Sequence, residues 1–366
     1  MKRILCILSS LDAGGAETFA MKVYRSLPTE EYQIDFIVSQ YGGCYEQEVL
    51  VRGGWIHKIP LRTKAPFQAL SGIHRIVKEN GYEYVLKLGE TSVASLDLVA
   101  ARLGGAKRLA MRSCNALTGL PVKKKVVNAV LRPVLNMVAN VKLAPSMLAA
   151  EFTFGKKQAH RNVHLLHNGV DLKVFRFDPE GRNQIRNEFD LSDRFIVGHV
   201  GRFHGQKNHR YLLEVFQKIR EQRNDAVLLL VGIGDLEQKI QGWARELGLE
   251  EAVIFAGQRF DIPQLLSAMD VFVFPSLHEG MPNTVIEAQA TGLPCVIADT
   301  ITPEADLTGL VTYLPLTENK EDWVQTALSV TTQERRDTHD VFVAKGYDIN
   351  SVAKEFITLL GGEAVR

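Results

Sequence analysis

The sequence has little cysteine and no long apolar run. Its cysteines lie 38, 70 and 181 positions apart, which fits neither a metal-ligand motif nor a disulfide framework: Cys6, Cys44, Cys114 and Cys295. The first apolar run, Ile4 to Leu8, is too short for a signal-peptide core or a membrane span, and it predicts a buried strand. We therefore expect a protein of a reducing, cytoplasmic compartment.

Aromatic side chains are missing from residues 98–151, although this region is strongly basic. Residues 98–170 carry 12 lysines and arginines and one acid, Glu151, whereas the formal net charge of the chain is only +1. The charges cancel because residues 1–170 hold 23 basic and 12 acidic groups (+11), and residues 171–366 hold 20 and 30 (−10). Without aromatic stacking platforms, the basic region does not predict a partner made of nucleic acid.

What the chain does contain is an alternation of short apolar strands and helical segments. Lys2–Leu8 and Tyr32–Val38 are typical strands on either side of a helical segment, and the same rhythm restarts at Phe195. With 46% apolar and 23% charged residues, the pattern predicts a soluble α/β protein of two doubly wound, mostly parallel sheets. We place the first domain at residues 1–168, with a C-terminal helix at 350–366 packing back onto it, and the second at 169–349. A ligand cleft is expected between them.

Two glycine turns follow predicted strands, Gly14-Gly15 in the first domain and Gly232-Ile233-Gly234 in the second. Backbone amides at such turns can approach a phosphate or a ribose. A tight strand-to-helix turn would explain the same glycines. Both interpretations stay open.

Two cations, Arg202 and Lys207, lie where a predicted strand passes into a helix. The helix dipole favours acids rather than cations at that end, so an anionic ligand is the simpler explanation. A guanidinium binds phosphate oxygens in pairs and a lysine adds a mobile charge, which together predict a diphosphate clamp. The alternative is a pair of solvated surface cations.

The segment from Phe274 to Ala288 joins a strand end, a loop with Glu279, and a helix that we expect to begin near Pro282 to Thr284. Free amides at that helix start would face a ligand. Glu287 is either a ligand contact or the capping-box partner of Thr284, since the three-residue spacing fits.

Taken together, these residues resemble the retaining glycosyltransferases of family four, which have the GT-B fold of two Rossmann-like domains facing across a cleft. The resemblance rests on Glu279 and Glu287 with seven residues between them, Gly201-Arg202 with Lys207-Asn208, the linker Asn168–Asp171, and Gly14–Glu17. It covers nearly the whole chain, is stronger in the second domain, and points to the bacterial capsule, exopolysaccharide and O-antigen branch.

The resemblance implies a role for each matching residue. Arg202 and Lys207 would neutralise the donor diphosphate and Glu279 would contact the donor sugar, which makes these three the expected catalytic set. Glu287 would bind the ribose. The other expected donor-binding residues are Gly15, Gly232, Arg259, Gly280, Met281, Asn283 and Thr284.

The expected chemistry follows from charge. When the bond between sugar and phosphate breaks, negative charge grows on the leaving diphosphate, so cations already in place lower the barrier. No Asp-x-Asp sequence occurs in the chain, which argues against the metal-dependent transferases that use one. We expect no metal and no other cofactor. The resemblance implies retention of configuration without an enzymic nucleophile, and family frequency favours UDP as the nucleotide.

The sequence departs from the family where many relatives carry histidines, after the fourth and fifth strands. Leu88 and Cys114 stand at those places. Neighbouring polar groups would then contact the donor sugar or the acceptor. The acceptor-side candidates are Glu90, Arg112 and Asn115, with Lys87 as a further one.

Residues Pro121–Val141 combine apolar residues at helical spacing with Lys123, Lys124 and Lys125, and Pro133 predicts a kink or a second helix. One interpretation is a packed helix with a solvated basic face. The other is a surface that sits on anionic lipid, with residues 98–161 on the inner membrane and the three lysines as membrane contacts.

The predicted function is sugar transfer from a nucleotide diphosphate donor to a lipid-linked or oligosaccharide acceptor, by a cytoplasmic enzyme peripheral to the cytoplasmic face of the inner membrane. One alternative is a nucleotide-sugar epimerase of the same fold, which would need acid and base residues in the cleft and no acceptor groove. Another is a non-catalytic nucleotide-sugar-binding subunit. The complete set of Arg202, Lys207, Glu279 and Glu287 argues against the latter.

Overall fold

The structure is a computed structural model that describes residues 1–12, 14–114, 121–330 and 334–361. Its internal contacts divide the chain into two compact units. The first is Met1–Gly169 together with Gly346–Arg366, and the second is Val170–Lys345. The return to the first unit thus begins at Gly346, earlier than the expected residue 350.

The first unit contains a seven-stranded sheet in the order β3-β2-β1-β4-β5-β6-β7, and the paired strands are parallel. Its strands are β1 (Lys2–Ile7), β2 (Tyr32–Val38), β3 (Ile56–Lys58), β4 (Tyr84–Gly89), β5 (Arg108–Ser113), β6 (Val141–Ala144) and β7 (His164–Leu165). Its helices are α1 (Gly15–Ser26), α2 (Glu46–Val51), α3 (Pro66–Asn80), α4 (Ser95–Leu103), α5 (Val122–Val138), α6 (Met147–Phe154) and α7 (Lys156–Asn162).

The second unit contains a six-stranded sheet in the order β10-β9-β8-β11-β12-β13, again with parallel pairs. Its strands are β8 (Phe195–Val200), β9 (Ala226–Val231), β10 (Val253–Gly257), β11 (Val271–Phe274), β12 (Cys295–Ala298) and β13 (Val311–Leu314). The helices of this unit are α8 (Pro179–Glu188), α9 (His209–Gln222), α10 (Glu237–Glu246), α11 (Ile262–Ala268), α12 (Asn283–Ala290), α13 (Glu321–Ser329) and α14 (His339–Ala344). The last helix, α15 (Ile349–Leu359), belongs to the first unit.

Helices cover both faces of the first sheet. Ile4 and Cys6 of β1 point to one face and share a core with residues of α1 and α15. Leu5 and Ile7 point to the other face and share a core with residues of α3, α4 and α5. This period of two, with helices on either side, is the doubly wound arrangement expected of a buried parallel sheet, so the predicted fold class is confirmed.

Candidate functional site

In the second unit, β8 and β11 are neighbours at the centre of the sheet, and the strand order reverses between them. Ligands of open α/β sheets bind at such a switch point, beyond the carboxyl ends of the strands. The loops that leave these two strands carry Arg202, Lys207 and Glu279. The topology therefore brings the expected catalytic residues of this unit to one edge.

Lys207 and Glu279 form an ion pair there, with 2.7 Å between Nζ and Oε1. Only 17% of the lysine side chain and 12% of the glutamate side chain are exposed. The Lys207 ammonium also lies 4.4 Å from the centroid of the Phe274 ring. A Cβ at Gly201 would come within 3.3 Å of Lys207 Cε, so this glycine leaves room for the lysine side chain.

The loop that carries Glu279 is fixed by hydrogen bonds to its neighbours. The backbone amide of Leu277 donates to the carbonyl of Gln206 at 2.9 Å, and Gln206 Nε2 donates to the carbonyl of His278 at 2.7 Å. Glu279 itself forms a parallel bridge with Ile301. The position of its carboxylate beside Lys207 is thus held from both sides of the loop.

Arg202 differs from Lys207. Its side chain is exposed, and within the described parts of the chain it has no hydrogen bond or ion pair. Its guanidinium is therefore free to bind an incoming anion, whereas the ammonium of Lys207 is already occupied.

Helix α12 begins at Asn283 after Pro282, which makes no side-chain cap. Its first amides lie next to the half-buried residues Gly280 and Met281. Thr284 is inside the helix rather than at its N-cap, so the capping box with Glu287 is wrong. Glu287 is 9% exposed within the same helix.

Two buried histidines lie behind this edge. His199 is fully buried, and its Nδ1 lies 3.0 Å from the carbonyl of Val273, which can only accept, so Nδ1 carries the proton. His209 packs against it with ring centroids 4.9 Å apart. Burial, assisted by the charge of Lys207, lowers the pKa of His209 to about 4. Burial likewise lowers the pKa of His199, so both rings are neutral at pH 7.

The glycines after β9 have a structural explanation. Gly232 has φ 141°, and a Cβ on it would overlap the carbonyl of Gly201. A Cβ on Gly234 would likewise overlap the carbonyl of Phe203. The amide of Gly232 donates to the carbonyl of Gly257 at 2.9 Å and is not available to a donor. The expected amide contact from Gly232 is therefore not supported.

Arg259 is also occupied. Its guanidinium makes paired hydrogen bonds to Glu188 and to Asp261 at 2.5–2.9 Å. These bonds lower the pKa values of both carboxyl groups. The expected contact with the nucleotide base would therefore have to come from the main chain near Arg259 and not from its guanidinium.

The first unit has a pocket of its own, which we call the strand-end pocket, of about 550 Å³. It opens where β1, β4 and β5 end and α1 begins. It is lined by Leu8, Ser9, Gly14, Gly15, Ala16, Glu17, Arg62, Lys87, Leu88, Gly89, Glu90, Thr91, Ala94 and Cys114. Leu88 and Cys114, which we expected at the two family histidine positions, line the same pocket as the candidates Lys87 and Glu90.

A buried carboxylate that the sequence analysis missed organises the pocket wall. Asp97 is 4% exposed and accepts from Arg62 at 2.5 Å and from Lys87 at 3.0 Å. Both cations of the pocket are therefore already paired. No motif marks Asp97 or Arg62, because they are brought together only by the packing of α4 beneath the loop after β3.

Arg112 lies elsewhere. It is 1% exposed, donates to the carbonyl of Leu166 at 3.0 Å and to Asn168 at 2.5 Å, and lies over the Phe19 ring. Burial lowers its pKa to about 10. Its guanidinium supports the chain just before the second unit, so we correct the expectation that it contacts an acceptor. Asn115 lies outside the described residues.

Helix α5 runs unbroken through Pro133, so the predicted second helix does not form. Among its residues only Asn128, Leu135 and Val138 are buried. Lys123, Lys124 and Lys125 are exposed. The helix also presents an exposed apolar row, which we call the valine stripe: Val122, Val126, Val130 and Met137, exposed by 75%, 56%, 67% and 81%.

The apolar side chains of the valine stripe are exposed on the same helix as the three lysines. Of the helices in the described parts of the chain, none has the length and apolar character needed to span a bilayer.

Two Rossmann-like units in one chain, each with its own parallel sheet, are the architecture of the GT-B fold. Residues 194–333 match the family model of the glycosyl transferases group 1. EpsF of Bacillus subtilis (strain 168), which is named as a glycosyltransferase, is 34% identical over 357 residues, covering 95% of this chain and 93% of that protein.

A second relative is the UDP-Gal:alpha-D-GlcNAc-diphosphoundecaprenol alpha-1,3-galactosyltransferase of Escherichia coli. It is 26% identical over 306 residues, covering 78% of this chain and 76% of that protein. The crystal structure of Anabaena HepE in complex with UDP has a TM-score of 0.78 at 18% identity, covering 99% of this chain and 100% of that one. The chain belongs to the group 1 glycosyl transferases and is a glycosyltransferase, which confirms the predicted family.

Proposed function

We propose that this glycosyltransferase moves a sugar from a UDP-sugar to a lipid-linked or oligosaccharide acceptor in the synthesis of a bacterial surface polysaccharide. We further propose that it retains the anomeric configuration and needs no metal. The observation that carries the proposal is the Lys207–Glu279 pair at 2.7 Å. Arg202 lies on the same loop as Lys207, and its exposed side chain has no partner among the described residues. The Escherichia coli relative is named for a UDP-galactose donor and a diphosphoundecaprenol acceptor, and Anabaena HepE binds UDP.

In this proposal the two cations receive the diphosphate and stabilise it as it leaves. Arg202 supplies a guanidinium that has no partner among the described residues, and Lys207 exchanges Glu279 for a phosphate oxygen. Glu279 is then released to accept hydrogen bonds from the donor sugar. The start of α12 adds amides with a partial positive charge, which favours an anion next to Gly280 and Met281. Charge developing on the leaving group is thereby met by groups already in place.

The donor site is tested by the melting temperature in the presence of UDP. A ligand that binds only the folded state stabilises it by mass action, so we expect a higher Tm with UDP. Arg202→Ala and Glu287→Ala should reduce the shift. Arg220→Ala, on the same unit, should not, because the Arg220 guanidinium donates to the carbonyls of Asn224 and Ala226 at the start of β9, the end opposite the proposed donor site. If no nucleoside diphosphate raises the Tm, the proposed donor site is refuted.

The reaction is tested with the donor alone and with added acceptor. If the enzyme transfers sugar, it should release UDP only when an acceptor is present. Conversion of the donor into an isomeric nucleotide sugar without an acceptor would instead identify the epimerase.

We also propose that α5 binds the cytoplasmic surface of the inner membrane. The valine stripe supplies apolar area for the lipid interface, and Lys123, Lys124 and Lys125 supply attraction to anionic headgroups. Both contributions come from the same helix, as interfacial binding requires. Residues 98–170 hold 12 cations and one acid, a surplus of 11, and although Arg112 and Lys142 are buried, this charge favours the same surface.

Vesicle sedimentation distinguishes the two contributions. Changing the three lysines to Glu should abolish binding to vesicles with anionic lipid, and Val126→Asp with Val130→Asp should weaken it with the lysines intact. Arg75→Glu with Lys78→Glu, exposed positions on α3, is the charge-reversal control. Unchanged binding in both α5 variants would contradict the proposal.

A further inference from the structure

A buried ring nitrogen lies behind the loop that carries Lys207. His199, on β8, is fully buried, and its Nε2 has no hydrogen-bond partner within the described residues. Because its Nδ1 carries the proton and donates to the carbonyl of Val273 at 3.0 Å, Nε2 of the neutral ring can only accept. A buried acceptor without a donor costs free energy, so a structure that retains one calls for an explanation.

The packing around the ring fixes the direction in which Nε2 points. The His199 ring stacks on Phe274 with the ring centroids 5.3 Å apart and the planes 22° from parallel. His209, on α9, meets it edge-on at 4.9 Å. Turning the ring over would also break the hydrogen bond from Nδ1 to Val273. Nε2 is therefore held in one place by groups of β11 and α9.

His199 Nε2 and the side chain of Lys207 approach each other at Gly201. A Cβ on this glycine would lie 3.3 Å from His199 Nε2 and 3.3 Å from Lys207 Cε. The two groups thus lie on the same side of the Gly201 backbone, and this residue has no side chain to separate them. Burial is the main cause of the low pKa of His199, and the charge of Lys207 contributes to it, as expected of a cation nearby.

The Lys207 ammonium has hydrogen-bond donors to spare. An ammonium carries several N–H donors, and among the described residues Lys207 Nζ makes one hydrogen bond, to Glu279 Oε1 at 2.7 Å. Phe274 offers the ammonium only the face of its ring, at 4.4 Å from the centroid. A lysine that turns from Glu279 to a phosphate can therefore still donate to a buried acceptor on its own side of Gly201.

We propose that His199 is a positioning residue for sugar transfer, whose Nε2 accepts a hydrogen bond from the Lys207 ammonium when that ammonium leaves Glu279 and binds the donor diphosphate. A neutral imidazole then replaces a carboxylate as the support of the lysine. The positive charge of Lys207 is no longer offset by the protein and acts on the leaving phosphate. The inference rests on the proposed function, because it requires that Lys207 binds the diphosphate.

The Kd of UDP, measured by isothermal titration of the full-length protein, tests this with two matched substitutions. His199→Asn keeps an amide that can donate to the Val273 carbonyl but has no acceptor at the position of Nε2. His199→Gln reaches that position and can place its amide oxygen there. We expect His199→Asn to weaken UDP binding about tenfold, as the loss of a hydrogen bond to a charged group should. His199→Gln should restore most of the affinity.

Two controls separate positioning of Lys207 from general support of the fold. Uridine has no phosphate, so its binding, measured by ligand-observed NMR, should be the same in both variants as in the wild type. Lys207→Met removes the ammonium, so the addition of His199→Asn to it should weaken UDP binding no further. Uridine binding also shows that a variant is folded. If His199→Asn does not fold, His199→Phe takes its place, because it keeps an aromatic ring in the stack and has no acceptor.

The outcomes distinguish this inference from the proposed donor site. The role of His199 is overturned, and the donor site stands, if Lys207→Met weakens UDP binding but His199→Asn does not. The same holds if His199→Asn weakens UDP binding equally in the Lys207→Met protein, if it weakens uridine binding as much as UDP binding, or if His199→Gln binds UDP no better than His199→Asn. If Lys207→Met leaves the Kd of UDP unchanged, Lys207 does not bind the diphosphate, and both proposals are overturned.

Discussion

Replacing Glu279 by Gln should make the enzyme bind UDP more tightly while it transfers sugar more slowly. The Lys207 ammonium is bound to Glu279 at 2.7 Å. A diphosphate must take the place of that carboxylate. The variant removes the competing charge but keeps the shape of the side chain, so Lys207 becomes available. Transfer slows because the ionised acceptor for the donor sugar is lost.

The size of the effect follows from how exposed the pair is. Exposed ion pairs contribute about 0–1 kcal/mol, and breaking fully buried ones costs about 3–5 kcal/mol. With 17% and 12% of the two side chains exposed, the Lys207–Glu279 pair lies between these cases. We therefore expect the loss of this competition to strengthen UDP binding by about 1–2 kcal/mol, which lowers the Kd of UDP about 5–30-fold.

Isothermal titration of UDP against wild type and Glu279→Gln measures this directly. Glu246→Gln is the matched control, because it breaks a comparable pair, with Arg210 at 2.8 Å, on a glutamate side chain that is 60% exposed. Weaker UDP binding in Glu279→Gln would refute the reasoning. It would mean that Glu279 holds Lys207 in place for the phosphate instead of competing with it.

Two further predictions concern the scaffold of the second unit. Gly232→Ala should lower the free energy of unfolding of this unit by about 2–4 kcal/mol in urea, since φ is 141° there and the new methyl group would overlap the Gly201 carbonyl. Gly242→Ala, inside α10 with nothing within 4 Å, should instead stabilise it by about 0.5–1 kcal/mol. Because burial lowers the pKa of His209 from 6.5 to about 4, the unfolded chain takes up this proton first, and stability should fall as the pH drops from 6.5 towards 4. For one such group the free energy of unfolding should fall by about 1.4 kcal/mol per pH unit in this range. His209→Phe should therefore show a shallower dependence of its stability on pH. If the variant and the wild type had the same slope, the buried His209 ring would not be neutral.

The central strands of both sheets were predictable from sequence, because a strand buried on both faces is a continuous apolar run. Phe195–Val200 and Ala226–Val231 are examples, and each is buried along its whole length. Of the four edge strands, β10 was predicted, but β3, β7 and β13 were not. His164–Leu165 is two residues long and exposed, and Val311–Leu314 is only half-buried, so neither shows the run or the alternation that marks a strand.

The candidate donor-site residues of the second unit could be predicted from sequence because each lies within a local motif at a strand end. The ion pair that joins two of those motifs could not, since Lys207 and Glu279 are 72 positions apart and meet only because β8 and β11 are neighbours. For Arg112, the sequence predicted a ligand contact that the structure does not support. A cation after a predicted strand resembles a ligand contact in sequence. Its burial and its hydrogen bonds to Leu166 and Asn168 show instead that it supports the fold.

Each unit holds a glutamate beyond the ends of its central strands, but the cations around the two glutamates differ. In the proposed donor site, Glu279 is bound to Lys207, and Arg202, which has no side-chain partner among the described residues, would attract a diphosphate that displaces the Glu279 carboxylate. Glu17 lies over the start of α1, and the two cations that line the strand-end pocket, Arg62 and Lys87, are both bound to Asp97. Within the described residues, a cation without a partner, rather than a glycine turn, therefore marks the proposed phosphate site. By the same argument, Arg202→Ala should harm UDP binding more than any single change at Gly14 or Gly15.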